Sequence, residues 1–172
     1  SIEKQALNND LKVDSGRVQG GKRTLHKTEE NPHVTVATVV WNNRAEIVKT
    51  MESVLSQDYS NFEYIVVDGE STDGTVDILR CYGHLVDFWI SEPDSGPYDA
   101  MSKAAEYSRG LWIVYMNAGD CFASPDVLSK VFGNLEADPD IIYGDHIWLN
   151  EKTANFHQAI PLSTSLALLH SG

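Results

Sequence analysis

From residue 33 onward, stretches that look like buried strands alternate with stretches that look like helices, and this alternation restricts the possible folds most. The run VTVATVVW (34–41) is apolar and β-branched, which is typical of a strand buried in a sheet. Apolar residues then recur at helical spacing between Ile47 and Leu55. The two patterns alternate about four times, which predicts an α/β domain with a mostly parallel sheet and right-handed crossovers.

The remaining elements follow from the same patterns. Further strands are predicted at residues 62–68, 86–90, 111–116 and 140–145. The six large apolar residues of LWIVYM (111–116) predict a strand that is buried on both faces. Tyr98, Met101 and Ala105 predict one face of the helix that precedes it. Residues 71–73, Ser-Thr-Asp, are favourable caps for the helix after the second strand.

Polar side chains follow each of the first four predicted strands. The four exits read Trp41-Asn42-Asn43, Asp68-Gly69-Glu70-Ser71, Glu92-Pro93-Asp94-Ser95-Gly96 and Asn117-Ala118-Gly119-Asp120. Ligands of open parallel sheets bind beyond the carboxyl ends of the strands, so these exits form the candidate site. Taken singly, Asp-Gly and Gly-Asp pairs are also what ordinary turns contain. As a set, carboxylates at one edge repel one another unless a cation or ligand donors lie between them.

The net negative charge of the chain argues against nucleic acid as a partner. The formal net charge is −12, from 13 Lys and Arg against 25 Asp and Glu, whereas nucleic-acid binding needs clustered basic residues. An anionic ligand would therefore need a bound cation, helix N-termini or a few placed lysines. Neither a dinucleotide-binding glycine motif nor a phosphate-binding P-loop occurs in the sequence.

The first 32 residues differ from the rest. They are polar and lack apolar periodicity, so they predict a weakly ordered N-terminal arm before a domain at residues 33–172. The sequence shows neither a signal-peptide pattern nor an apolar run of about 18 residues, which predicts no transmembrane segment. Two widely spaced cysteines favour a reducing compartment, and we therefore expect a cytoplasmic protein, with peripheral contact to the inner face of the membrane left open.

Two long blocks carry a resemblance to a known family. VTVATVVWNNRAEIVKTMESVLSQDYSNFEYIVVDGESTDGT and DSGPYDAMSKAAEYSRGLWIVYMNAGDCF are similar to the two halves of the family 2 glycosyltransferases, which have the GT-A fold. The second block most closely resembles the branch with an Asn-Ala-Gly-Asp metal motif. The match runs from about His33 to Tyr143.

The resemblance implies a role for each matching residue. Val39, Val40, Trp41 and Asn42 would form the loop that holds the nucleoside, and Asp68 would hydrogen-bond the base, commonly uracil. Further matches are Asp94 and Gly96 in a loop along the nucleotide, Asp99, Ser102 and Lys103 on a helix that closes over the donor, and Asn117 and Asp120 in the metal motif. Asp120 would ligate Mg²⁺ or Mn²⁺ on the diphosphate, with Asn117 as a neutral partner.

The resemblance also implies an activity. It predicts an inverting, metal-dependent transferase that moves a sugar from a nucleotide-sugar, most often a UDP-sugar, to a glycan or lipid-linked acceptor in polysaccharide or cell-envelope glycan synthesis. This chain departs from the family pattern at Gly69, Glu70 and Ser102, and only 52 residues follow Asp120. We therefore expect the C-terminal acceptor part to lie outside this chain.

Two questions stay open at this level. The catalytic base is not identified, and Asp145 is a candidate only because it is a carboxylic acid. The alternative function is a catalytically inactive domain that binds a nucleotide-sugar.

Overall fold

The computed structural model describes residues 12–14, 16–25, 31–133, 142, 147–150 and 155–158. The chain divides into two compact units, Ser1–Asn134 and Leu135–Gly172. In the first unit the strands are β1 (Lys12–Asp14), β2 (Arg17–Gly20), β3 (Val34–Val40), β4 (Phe62–Asp68), β5 (Phe88–Ser91) and β6 (Trp112–Asn117). Its helices are α1 (Lys22–Leu25), α2 (Arg44–Leu55), α3 (Thr75–Tyr82), α4 (Pro97–Tyr107) and α5 (Val127–Phe132).

The strands of the first unit form one mixed sheet in the order β1-β2-β5-β4-β3-β6. The four strands from β5 to β6 are parallel, and β2 pairs antiparallel with β5. The register pairs Val40 with Asp68 and Val39 with Asn117, so β3, β4 and β6 end at one edge of the sheet. The predicted α/β class with a mostly parallel sheet is confirmed.

The core lies on both faces of β3 and β4, whose apolar sequences suit the centre of a parallel sheet. All seven residues of β3 are buried. On one face Ala37, Val39, Ile65 and neighbouring residues pack against Ala100 and Ala104 of α4. Small side chains on α4 let the helix lie close to the strands that carry the candidate site.

Two predictions about burial were wrong. Strand β6 is not buried on both faces, because Met116 is its only buried residue and Tyr115 is 39% exposed. Leu111, which was predicted to start this strand, precedes it and is 83% exposed. Among the strands that the structure describes, β6 is the last of its sheet, and one strand neighbour covers less of it than two would. In α4 the buried face holds Ala100 and Ala104, whereas Tyr98 is 84% exposed.

Part of the predicted N-terminal arm forms regular structure. Strand β2 pairs with β5 through Val18–Ser91 and Gln19–Ile90. The Arg17 Nη2 donates a hydrogen bond of 2.6 Å to the Tyr107 hydroxyl. Backbone and charged groups make these contacts. An apolar periodicity in the sequence therefore does not indicate them.

The second unit contains a β-hairpin of β7 (Ile147–Asn150) and β8 (Asn155–Gln158), with Trp148 opposite His157. The strand predicted at 140–145 lies outside the described residues except for Ile142, and so does Asp145. None of the helices that the structure describes is long and apolar enough to cross a membrane.

Candidate functional site

A cavity of about 310 Å³ opens at the carboxyl ends of the parallel strands. Its walls are Val39, Val40, Trp41, Asn43, Asp94, Gly96, Pro97, Ala100, Asn117 and Ala118. The connection from β3 leads to β4 on one side, while β6 pairs with the other side of β3. A crevice forms where the strand order reverses, and in open parallel sheets that crevice is the usual ligand site.

The turn after β3 supplies one wall of the cavity. Trp41 lines it and is 68% exposed, so its indole is available to a ligand. Asn43 also lines it and donates from Nδ2 to the Ala118 carbonyl at 3.0 Å, which joins the exits of β3 and β6. Asn43 belongs to the strand exit that the sequence indicated, although no ligand contact was predicted for it.

Asn42 makes hydrogen bonds to a neighbouring loop and does not line the cavity. Its φ is +47°, a left-handed conformation that asparagine adopts more readily than most residues. Its backbone N–H donates to the Ser71 hydroxyl at 2.7 Å, and its Oδ1 accepts from the Thr72 N–H at 2.8 Å. The side chain therefore ties the loop after β3 to the loop after β4.

Asp68 is enclosed by protein. It is fully buried, and its carboxylate accepts hydrogen bonds from the Ser71 N–H (2.9 Å), the Ser71 hydroxyl (2.5 Å) and the Ser91 hydroxyl (2.7 Å). Asp68 is not among the residues that line the cavity. The predicted contact with a base stays a prediction, and the structure gives it no support, because Asp68 has no exposed surface and lies outside the cavity wall.

Asp73 joins the starts of two helices. Its Oδ2 accepts from the Arg44 N–H at 2.9 Å, and its Oδ1 accepts from the Thr75 hydroxyl at 2.6 Å. The Thr75 hydroxyl, followed by the backbone N–H groups of Arg44 and Thr75, lowers the pKa of Asp73, while partial desolvation opposes them. The predicted cap at residues 71–73 is wrong as to position, because the N-cap residue of α3 is Gly74. Asp73 nevertheless accepts from the first backbone N–H of α3, at Thr75 (3.0 Å), and from that of α2, at Arg44.

Lys103 holds the loop after β5 from outside the cavity. Its ammonium donates to the Pro93 carbonyl at 2.5 Å and lies 3.4 Å from Glu92 Oε1 and 3.8 Å from Asp99 Oδ2. Glu92 in turn pairs with Arg17 of β2 at 3.3 Å. These contacts use Lys103 to fix the loop, which is a different role from the predicted contact with the nucleotide.

The turn after β6 brings backbone toward the cavity. The Ala118 N–H donates to the Val39 carbonyl at 3.1 Å, and the Gly119 N–H donates to the Thr50 hydroxyl at 2.8 Å. Gly119 has φ +110°, which a residue with a Cβ rarely adopts. The turn places Asp120 at the surface, next to the wall formed by Asn117 and Ala118.

The donor set at this turn suits a weakly held divalent cation. Asp120 is exposed, and no cluster of three or more His, Cys, Asp or Glu residues with metal-site geometry occurs in the described part of the chain. Mg²⁺ is commonly bound through one or two carboxylates together with substrate phosphates. Asp120 with the Asn117 amide therefore fits such an ion only when a phosphate ligand completes its shell.

The structure brings five of the nine predicted site residues to the cavity wall. These are Val39, Trp41, Asp94, Gly96 and Asn117. Asn42, Asp68 and Lys103 are not wall residues, and Asp120 follows the wall residue Ala118 by two positions. Pro97 and Ala100 were not predicted, and their signal in the sequence was only that they adjoin Gly96 and Asp99, whereas Ala118 was part of a predicted strand exit without a predicted contact. Ligand contacts at all these positions stay predictions.

We expect Asp68→Asn to destabilise the fold without changing the preference for any nucleotide base. An amide cannot accept from all three donors around Asp68, and each buried donor left without a partner costs about 1–3 kcal/mol. Chemical denaturation of this variant, with Asp58→Asn at an exposed position as the control, measures the loss. If Asp68→Asn left the free energy of unfolding unchanged but altered the base preference, Asp68 would have to contact the nucleotide base.

The sequence and the fold both match known proteins. The profile described as Glycosyl transferase family 2 matches residues 35–169. An uncharacterised glycosyltransferase of Mycobacterium tuberculosis H37Rv is 35% identical over 58% of this chain and 38% of its own length. A PGL/p-HBAD biosynthesis glycosyltransferase of Mycobacterium bovis BCG is 31% identical over 67% of this chain and 47% of its own length. The chain spans less than half the length of these relatives.

Two solved structures share the fold. The mannosyltransferase PcManGT of Pyrobaculum calidifontis, in complex with GDP-Man and Mn²⁺, superposes with a TM-score of 0.58 at 24% identity. That match covers 81% of this chain and 39% of the mannosyltransferase. Staphylococcus aureus TarS with UDP-GlcNAc gives a TM-score of 0.54 at 21% identity over 60% of this chain and 31% of TarS. The GT-A-like fold is thereby confirmed.

Proposed function

Because this chain belongs to glycosyl transferase family 2, we propose that its cavity binds a nucleoside diphosphate sugar for transfer to a glycan or lipid-linked acceptor with inversion. The observation that carries the proposal is the convergence of Val39, Trp41, Asp94 and Asn117 on one cavity at the switch point of the sheet. We assign the reaction to polysaccharide or cell-envelope glycan synthesis on the cytoplasmic side of the membrane.

The walls of the cavity suit the parts of such a donor. The exposed indole of Trp41 offers a flat apolar surface for a base or ribose. Asn117 supplies an amide, and Gly119 keeps the turn after β6 free of a side chain where phosphate oxygens would approach. A carboxylate faces the cavity only at Asp94, since the other wall residues are uncharged.

Asp120 and Asn117 would hold Mg²⁺ or Mn²⁺ together with the diphosphate. When bound, the cation neutralises the charge that develops on the leaving diphosphate. The protein's own contribution is a mount at the end of β6, which hydrogen bonds from Ala118 to Val39 and from Gly119 to Thr50 keep in place.

The named relatives support the reaction class. One is a glycosyltransferase of PGL/p-HBAD biosynthesis, and the two structural neighbours were solved with UDP-GlcNAc and with GDP-Man and Mn²⁺. These ligands are the basis for proposing a UDP-sugar or GDP-sugar here, with UDP-sugar as our first choice.

An inactive nucleotide-sugar-binding domain is the second candidate. An inverting transfer needs a general base for the acceptor hydroxyl. We assign none, because Asp145 lies outside the described residues. The small donor set for a cation at Asp120 and Asn117 also favours this candidate.

Calorimetric titration with UDP in Mn²⁺ and then in EDTA tests donor binding, and turnover of UDP-sugars with a range of acceptors separates the two candidates. We expect binding that depends on the metal. A folded chain that binds no nucleoside diphosphate in either condition would refute both. Binding without turnover of any donor by the full-length protein would favour the inactive domain.

A further inference from the structure

We propose that Asp94 selects the base of the donor and that it accepts a hydrogen bond from a ring N–H of the base through Oδ2. The inference rests on the proposed function and deepens it, because it names a class of nucleotide. Bases with a ring N–H flanked by carbonyl or amino groups fit, namely uracil, thymine and guanine. Cytosine and adenine present a lone pair at the matching ring nitrogen and do not fit.

Asp68 does not line the cavity and is poorly placed for this role. It carries no exposed surface, and three protein donors from Ser71 and Ser91 point at its carboxylate. A base would have to displace these donors and enter the sheet to reach it. Another carboxylate is therefore needed if an acceptor is to read the base at this end of the cavity.

Asp94 reaches over the exit of β4 because residue 69 is glycine. An alanine Cβ at position 69 would lie 2.4 Å from Asp94 Oδ2. That separation is well inside van der Waals contact, so any other residue at position 69 would push the carboxylate away. The loop after β5 thus delivers an acceptor to the space directly above the end of β4.

The carboxylate is held by one oxygen and free at the other. Asp94 Oδ1 accepts from the Gly96 N–H at 2.9 Å, which fixes the plane of the group. Oδ2 accepts no hydrogen bond from the residues that the structure describes, and Asp94 lines the cavity. Lys103 anchors the preceding Pro93 carbonyl at 2.5 Å, so the whole loop is braced. This arrangement presents one acceptor atom to a ligand.

The position also fits the electrostatics of a nucleotide. Gly69 follows β4, Asn117 ends β6, and β3 lies between these strands. Two strand spacings correspond to about 10 Å, which a ribose and its phosphate linkage can span. Asp94 is thereby kept away from the diphosphate, where its charge would be repulsive, and lies where an uncharged base would be.

Calorimetry of the 172-residue chain with UDP, GDP, CDP, ADP and pyrophosphate, each with Mn²⁺, is the first test. We expect UDP or GDP to bind at least about 10-fold more tightly than CDP and ADP, and the tighter of the two identifies the base. Tightest binding of CDP or ADP would overturn the inference. Equal binding of pyrophosphate and every nucleotide would also overturn it, while the proposed diphosphate site would stand. Failure to bind any of the five would refute the proposed function itself.

Asp94→Asn gives the sharper test, because it replaces the proposed acceptor for the ring N–H of the base with a hydrogen-bond donor. The Gly96 N–H keeps the amide oxygen, so the NH₂ group takes the place of Oδ2. We expect UDP or GDP to weaken about 10–100-fold and CDP to gain relative to both, with pyrophosphate binding unchanged. Asp77→Asn on α3 is the matched control. An unchanged order of the nucleotides in Asp94→Asn would overturn the inference.

Gly69→Ala tests the position of Asp94 Oδ2 without changing any charge. Its methyl group displaces Asp94 Oδ2, so we expect base preference to be lost while pyrophosphate binding persists. Retained thermal unfolding shows that the variant is folded. Wild-type preference in this variant would contradict the placement of Asp94 over residue 69.

Discussion

Asp120→Ala is expected to remove the effect of Mn²⁺ on UDP binding. In the wild-type chain Mn²⁺ should strengthen binding, and in the variant titrations with Mn²⁺ and with EDTA should give the same affinity. The reason is that Asp120 is the carboxylate at the exit of β6, and the neutral Asn117 amide does not hold a divalent cation alone.

Asp77→Ala is the control for this measurement. Asp77 is an exposed aspartate on α3 that pairs with Arg80 at 2.9 Å, remote from the cavity wall. We expect its binding to depend on Mn²⁺ as in the wild type. If Asp120→Ala kept the dependence on Mn²⁺, the cation would have to be held by other residues, and the proposed metal site would be wrong.

Glu63→Ala should cause the largest loss of stability. Glu63 is buried, and its Oε1 accepts from the Thr35 hydroxyl (2.6 Å) and the Arg109 N–H (2.7 Å), while Oε2 pairs with Arg23. Removing one partner of a buried ion pair costs about 3–5 kcal/mol. Burial lowers the pKa of Arg23, and because the Asp87 carboxylate still opposes that shift, we expect a loss at the lower end of that range. Chemical denaturation measures this as a lower free energy of unfolding.

Two further variants show how much of the stability loss comes from the ion pair between Glu63 and Arg23. Glu63→Gln keeps an acceptor for Thr35 and Arg109 and loses only the ion pair with Arg23, so it should lose less stability than Glu63→Ala. Glu106→Ala is an exposed control on α4 and should stay within about 0.5 kcal/mol of the wild type. A loss below about 1 kcal/mol in Glu63→Ala would mean that Arg23, and with it the segment around β2 and α1, contributes little to the fold.

Much of the parallel sheet could be predicted from local sequence. The run at 62–68 forms β4 over those residues, and the run at 34–41 forms β3 over Val34–Val40. Their β-branched, apolar residues both favour the extended chain and belong in the middle of a sheet. The run at 111–116 shows the limit of the same argument, since it is as apolar as a core strand, yet Leu111 precedes β6 and is exposed, and Tyr115 within β6 is partly exposed.

The sequence indicated the edge of the sheet at which the cavity opens, but it did not show which side chains line the cavity wall. Asp68 and Asp94 are both carboxylates at or just after strand ends, and nothing in their neighbouring residues shows which one lines the cavity. The two carboxylates differ because Ser91 of β5 donates a hydrogen bond to Asp68, whereas Asp94 lies in the space that a side chain at Gly69 would fill. Both causes come from segments that are distant along the chain. Likewise Lys103 resembles an anion-binding lysine until its contacts with Pro93 and Glu92 are seen.

The sequence by itself determined which segments between residues 33 and 133 become strands and helices, that the sheet is mostly parallel, and that the carboxyl edge of its parallel strands carries polar residues. These properties depend on periodicity and on residue type, which act over a few neighbouring positions. Only the tertiary structure decided which polar side chain is buried among protein donors and which lines the cavity. That choice depends on hydrogen-bond donors such as Ser91 and Gly96 and on the room left at residue 69, which are brought together only when distant strands pair.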